Sequence, residues 1–270
     1  MFLTKLKMAL VLALFMGITG TAATVLSYRA TAGDGKQGGK EALVVAAAID
    51  DKPRAADGDD EEDPQRDVAA DRVRSQNNLK QIGLAIIKYH DANGHFPTAA
   101  IYSKNDKPLL SWRVAVLPYL DEDALYRLFK LDEPWDSKHN KPLLAQMPSV
   151  FAAPGIKTRK PHATFYQVFV GKGALFEGQL EIKLSHVFDG TSNTFLVVEA
   201  GKAVPWSKPD DLEFDPDKPL PRLGGVFNNG FHAMVADGSM HFVKQKDEKT
   251  LKKWITRAGG EVVYGSDLDP

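Results

Sequence analysis

"NNLKQIGLAIIKYHDANGHFP", residues 77–97, is the stretch on which the fold turns. Leu79, Ile82, Gly83, Ile86 and His90 recur at the i, i+3, i+4, i+7 spacing that lines one side of an α-helix. Asn93-Gly94 then supplies residues that tolerate a left-handed C-terminal cap, and Pro97 keeps the helix from resuming. The spacing predicts a helix that begins near Val68 and ends within "HDANG". It also turns His90, Asp91 and His95 from a possible catalytic cluster into a structural stop signal. His90 falls on the last apolar turn, Asn93-Gly94 in the cap, and Phe96-Pro97 in the turn that leaves it.

Downstream the elements are short and mixed. "SWRVAVLPYL" and "EDALYRLF" have helical character and are cut by Pro118, while "PWDSKHNKPLLAQMP" reads as a turn and a short helix bounded by Pro148. The period then changes. "TFYQVFVGKGALFEG" predicts two strands around a Gly-Lys-Gly turn, "NTFLVVEA" a strand, and "FHAMVADGSMHFV" a hairpin with Asp237-Gly238 at its tip. With a two-residue turn there, Ala236 faces Ser239 and Met234 faces His241. Phe231, Ala233, Val235, Met240 and Phe242 then share the core face, and His232 and His241 share the other, roughly 5.5 to 8 Å apart at the backbone. A last helix, "DEKTLKKWITRAGG", takes Asp247 as N-cap, buries Leu251, Trp254 and Ile255, and stops at Gly259. A long N-terminal helix packed on an antiparallel sheet, with short helices and a C-terminal helix, is an α+β plan.

The N-terminal quarter has a different character. Lys5 and Lys7 precede an uncharged run over residues 8–28, long enough to cross a bilayer as a helix. The small residues of "ATAG" suit a signal peptidase, which gives residues 1–32 two readings: an uncleaved signal-anchor, or a signal peptide released near Ala32. Either keeps the lysines on the cytoplasmic side and exports the rest. Residues 33–66 end in "DGDDEEDPQRD", too charged and too poor in apolar surface to fold, and read as an acidic disordered tether. The folded domain is 67–270.

Composition narrows the chemistry. The 270 residues carry a net charge of -1, so no basic face for nucleic acid is expected, and the absence of cysteine removes disulfides, thiolate metal sites and cysteine nucleophiles. His232 and His241 offer a metal only two imidazoles without a third fixed ligand, and exposed polar residues on the sheet are the simpler account. "DGTSNT" places Ser192 near His186 but lacks the Gly-x-Ser-x-Gly elbow, and Asp189, Gly190, Ser192 and Asn193 are well suited to a tight turn. Asp189, Asn193 and Asp136 form an oxygen-rich candidate set for a loop cation such as calcium, though without calcium-loop spacing. "GKGALFEG", residues 171–178, lacks the order of a phosphate-binding loop and reads as a turn.

The stretch 77–97, "SWRVAVLPYL", "LDEPWDSKHNKPLL", "FDGTSNTFLVVE", "VPWSKPDDL" and "VADGSMHFV" occur in the order seen in bacterial domain-of-unknown-function family 1559, which the chain resembles over residues 74–243. The resemblance implies a planctomycete-type protein related to type IV pilins and type II pseudopilins, pilin-like in architecture and without established catalysis. Two features depart from that pattern. The anchor is atypical, with no prepilin signal and no Glu in residues 8–28. Many relatives carry a His ten residues before Asp-Gly, where this chain has Phe227 before Asp237.

The expected role is thus a membrane-tethered, exported structural or protein-interaction module of the cell envelope. Residues 8–28 would sit in the inner membrane and the domain outside the cytoplasm, or the domain would be secreted if cleaved. Partners are expected among other envelope proteins, with neither enzymatic activity nor a cofactor. Two alternatives stand beside it: a pseudopilin-like secretion subunit, and an envelope ligand-binding or hydrolytic protein using the loop 189–193.

Overall fold

The computed structural model describes residues 61–62, 67–227, 230–244, 247–261, 263–265 and 268. The segment 8–28, the cleavage site near Ala32 and all of the tether 33–66 except Glu61–Glu62 lie outside the described residues. Among those described, no helix is long and apolar enough to cross a membrane.

β1 (Glu61–Glu62) precedes α1 (Val68–Asn93), which is followed by β2 (Ala100–Tyr102), β3 (Pro108–Ser111), α2 (Trp112–Ala115) and α3 (Asp123–Tyr126). Then come β4 (Ile156–Lys157), β5 (Ala163–Gln167), β6 (Phe169–Val170), β7 (Phe195–Pro205), β8 (Leu212–Glu213), β9 (Gly230–Val235), β10 (Met240–Lys244) and α4 (Glu248–Ile255). The main sheet has the order β10-β9-β7-β5, antiparallel throughout. β1, inside the expected tether, pairs antiparallel with β4.

α1 forms where the periodicity places it. The Asp67 carboxylate accepts the Ala70 N–H at 3.1 Å, and Gly94 (φ 79°) closes the other end by donating its N–H to His90 O at 2.7 Å. Leu79, Ile82, Ala85 and Ile86 are buried on the sheet, each large side chain contributing about 1.5–3 kcal/mol. At Gly83 the packing leaves no room for a side chain: a Cβ there would lie 2.1 Å from Met234 Sδ on β9.

The sheet is covered on both faces. Leu196, Val197 and Met234 belong to the core beneath α1, whereas Phe195, Val198, Phe231, Ala233 and Val235 pack with Leu251, Trp254 and Ile255 of α4. A bulge at Leu196 lets two consecutive residues of β7 face α1. α4 buries the three expected residues but ends at Ile255, because Thr256 is extended (ψ 142°) and Arg257 donates its N–H to Gly173 O at 2.9 Å; Gly259 is not the stop.

Two strand readings are corrected. The hairpin has a three-residue loop: Gly238 (φ 93°) donates to Val235 O at 2.9 Å and Val235 to Ser239 O at 3.0 Å, so Met234 faces Met240 and Ala233 faces His241. One extra residue reverses every side chain of β10. Met240 and Phe242 turn toward α1 with His232, and His241 turns toward Trp254 of α4, with ring centroids 6.1 Å apart. The two histidines therefore lie on opposite faces, and His232 is 2% exposed. The segment 164–178 is not a hairpin. Leu212 donates to Val168 O and Phe214 to Val170 O, which pairs β6 parallel with β8, and a Cβ on Gly171 would lie 1.9 Å from Phe214 O.

Candidate functional site

Three neighbouring strands set a polar row across the sheet under α1. β5 supplies Tyr166, β7 supplies Glu199 in register with it, and β9 supplies His232, while α1 brings Ser75 down from above. Ser75 Oγ donates to Glu199 Oε1 at 2.5 Å and lies 2.7 Å from the Tyr166 hydroxyl. His232 N–H donates to Glu199 Oε2 at 2.7 Å, and its Nδ1 is 3.0 Å from both carboxylate oxygens. Ser75 is 0%, Tyr166 0%, Glu199 1% and His232 2% exposed. Phe242 and Phe227 meet the His232 ring edge-on at 5.0 and 5.7 Å, so both are part of the wall around this pair.

The arrangement has the residue types of a hydrolytic triad but not its order. A nucleophile needs Oγ on the imidazole, with the carboxylate behind it. Here Ser75 and His232 both donate to one carboxylate, so Glu199 is the hub, and the Ser75 hydroxyl is bound by that carboxylate instead of by the imidazole. Burial, then the Glu199 charge, raise the Tyr166 phenol above the ordinary tyrosine value, against its hydrogen bonding with Ser75 and Asn78. It is a neutral donor in the fold. The sequence reading missed this row. Its signals were a Glu inside the apolar run of β7, and the buried stripe of α1 continuing backward from Leu79 through Ser75 and Asp71.

A second network joins two motifs distant in sequence. Arg113 of "SWR" and Asp211 of "PDDL" form a buried ion pair with Nη2–Oδ1 2.7 Å and Nη1–Oδ2 3.3 Å. Arg113 also donates to Tyr166 O and Ser111 Oγ, and Asp211 Oδ1 accepts from Trp112 Nε1 and Val168 N–H, both at 3.1 Å. Burial pushes the Asp211 carboxyl up, and Arg113 opposes it.

The loop 189–193 is a clasp. Both oxygens of Asp189 are occupied, Oδ2 by Gly259 N–H at 2.6 Å and Oδ1 by Gly260 N–H at 2.8 Å. Asn193 Nδ2 donates to Asp189 O at 3.0 Å, and Gly190 O accepts from Thr194 Oγ1 at 3.0 Å. Ser192 is exposed, and His186 Nδ1 accepts the Lys183 N–H at 3.2 Å. Asp136 is exposed in a different loop, which is organised by buried Asn140 instead: its Nδ2 donates to the carbonyls of Lys130, Glu133 and Pro134. Among the described residues no group of three or more His, Asp or Glu side chains could hold a metal. Asp237 Oδ1 accepts Ser239 N–H at 2.7 Å, fixing the hairpin loop beside Gly238.

At the end of α1, Asn93 Nδ2 donates to Tyr89 O at 2.7 Å and to the Tyr119 hydroxyl at 2.9 Å, and Pro97 is buried. The His90 ring packs tilted against Phe96, centroids 4.8 Å apart, and its Nε2 accepts Leu184 N–H at 3.2 Å. His95 Nδ1 pairs with Phe96 O at 2.7 Å. These residues stitch the helix end to the loops around it.

The family model described as protein of unknown function (DUF1559) matches residues 68–220, from the first residue of α1 to the loop after β8. No curated protein and no solved structure matches the chain.

Proposed function

The chain belongs to the DUF1559 family of proteins of unknown function, and on that premise we propose that it is a non-catalytic interaction module of the cell envelope. In this reading residues 8–28 anchor it in the inner membrane and the domain works outside the cytoplasm on other envelope proteins. One observation carries it: the polar residues of the motifs spend their hydrogen bonds inside the fold. Asp189 holds Gly259 and Gly260, Arg113 holds Asp211, and Glu199 holds His232 and Ser75 at 1% exposure. What the surface offers instead is apolar, with Phe188 78%, Leu180 53% and Leu184 38% exposed within one short stretch.

In-cell photo-crosslinking from position 188, with position 104 as a control, tests the reading alongside activity profiling on ester, peptide and glycan substrates. A discrete adduct at 188 that is absent at 104, recovered from the membrane fraction, is the expected result. Turnover abolished by Ser192→Ala overturns the non-catalytic reading, and recovery of the chain only from the cytoplasm overturns the envelope.

A further inference from the structure

A groove of about 500 Å³ opens beside the C-terminal end of α1, between the β2–β3 hairpin and α3. That volume lies within the range of small-ligand sites. Four tyrosines line it, each from a different element: Tyr89 from α1, Tyr102 from β2, Tyr119 from the 3₁₀ turn Leu117–Leu120, and Tyr126 from α3. All four are partly buried, and Tyr89 and Tyr119 stand at 68° with centroids 5.7 Å apart, forming two walls of a corner. Burial raises the phenols of Tyr89, Tyr102 and Tyr126, so they are neutral hydroxyls that can give and take hydrogen bonds.

The remaining polar lining is rich in acceptors. Asn93 has committed its NH₂ to Tyr89 O and the Tyr119 hydroxyl, and Gln179 donates to Asp106 Oδ1 at 2.9 Å, which leaves both amide oxygens for a ligand. Glu181, 65% exposed in its side chain, adds a carboxylate. No lysine or arginine is among the described residues lining the groove.

This chemistry discriminates among ligands. An anion meets a carboxylate whose basic neighbour, His95 at 3.7 Å, is already paired with it. A proline-rich peptide, whose prolines lack N–H, brings mainly carbonyl acceptors to a rim of acceptors. A quaternary ammonium suits tyrosine faces but leaves the amide oxygens without donors. A sugar ring has apolar C–H faces to lay on tyrosines and hydroxyls that donate to the rim while accepting from the phenols. We propose that this groove is a binding site for a neutral oligosaccharide, held by stacking on Tyr102 and Tyr126 and by hydroxyl donation to Asn93, Gln179 and Glu181. The proposal does not depend on the protein-partner reading above, since saccharide binding and adducts at position 188 are separate measurements.

Isothermal titration of the full chain, in a detergent without a sugar headgroup, with maltohexaose, cellohexaose and chitohexaose tests it. Choline and a decaproline peptide serve as competing chemistries. Saturable binding of at least one oligosaccharide is expected, weakened about tenfold or more by Tyr102→Ala or Tyr126→Ala and retained by Tyr126→Phe, which keeps the ring. Thermal unfolding of each variant separates a lost contact from a lost fold. No saturation by any of the three sugars, tighter binding of choline or decaproline, or sugar binding unchanged in a folded Tyr102→Ala, Tyr126→Ala double variant overturns the proposal.

Discussion

Glu199 of β7 accepts both the backbone N–H and the ring nitrogen Nδ1 of His232 on β9, at 2.7 and 3.0 Å, across two strands whose side chains here are almost wholly out of water. Removing one member of such a buried pair leaves the other short of a partner. Glu199→Ala takes the carboxylate from His232 and one of two hydrogen-bond partners from Ser75, and is expected to lower the unfolding free energy by about 3–5 kcal/mol. Glu199→Gln, which keeps the shape and part of the bonding, loses roughly 1–3 kcal/mol. Urea titration of the two variants measures both, and a loss below about 1 kcal/mol for the alanine would contradict a supporting role for the row.

Arg113 serves three acceptors with one planar group, which an ammonium cannot reproduce. Arg113→Lys keeps the charge yet is expected to lose at least about 2 kcal/mol in equilibrium unfolding. Because Asp211 also accepts from Trp112 and Val168, a paired Arg113→Met, Asp211→Leu replacement should fail to restore wild-type stability. Full recovery would mean that the ion pair is dispensable.

Asp189 ties the loop before β7 to the glycines after α4. Asp189→Ala should speed amide exchange at Gly259 and Gly260 selectively and lower stability by about 1–3 kcal/mol. With both carboxylate oxygens already engaged, calcium or a chelator should leave the melting temperature of the wild type unchanged. A calcium-dependent rise that disappears in Asp189→Ala would refute this.

Tyr166 sets a dependence at high pH. Its phenol is raised in the fold by burial and by Glu199, so its contribution to stability is complete below the ordinary tyrosine value of about 10 and is lost as pH rises beyond it. Unfolding free energies measured from neutral pH to about pH 11 should decline, and Tyr166→Phe should flatten that decline by up to about one proton. An identical slope in the variant would show that Tyr166 does not titrate on unfolding.

Gly94 tests the stop of α1 directly. Its φ of 79° suits glycine, and a Cβ there would meet nothing within 4 Å. Gly94→Ala should therefore cost about 1 kcal/mol through backbone conformation alone, read as a lower urea midpoint with an unchanged slope.

How far the residues alone reached depended on distance along the chain. The span of α1, its Gly94 cap and the buried residues of α4 are set by neighbours within a few positions, and periodicity read them correctly. The faces of β9 and β10 depended on whether the loop at Asp237-Gly238 holds two residues or three, a local geometric choice that reversed the placement of His241. The role of Asp189 was hidden for another reason: its partners Gly259 and Gly260 lie 70 and 71 residues downstream. Turn chemistry explained why Asp stands there but could not say whose amides it holds. Glu199 was passed over because an apolar run reads as strand whether or not it contains one acid, and Ser75 because a hydroxyl in a helix is usually counted with the wet side.

The contact from Ser75 to Glu199 spans 124 residues and that from Glu199 to His232 another 33. The first helix thus rests on strands made more than a hundred residues after it. Folding in order of synthesis cannot complete this domain. The apolar stripe of α1 emerges early and stays without its sheet until β9 and β10, ending at Lys244, have been made. A chain truncated before β9 should accordingly be a client for chaperones and proteases instead of a smaller stable domain.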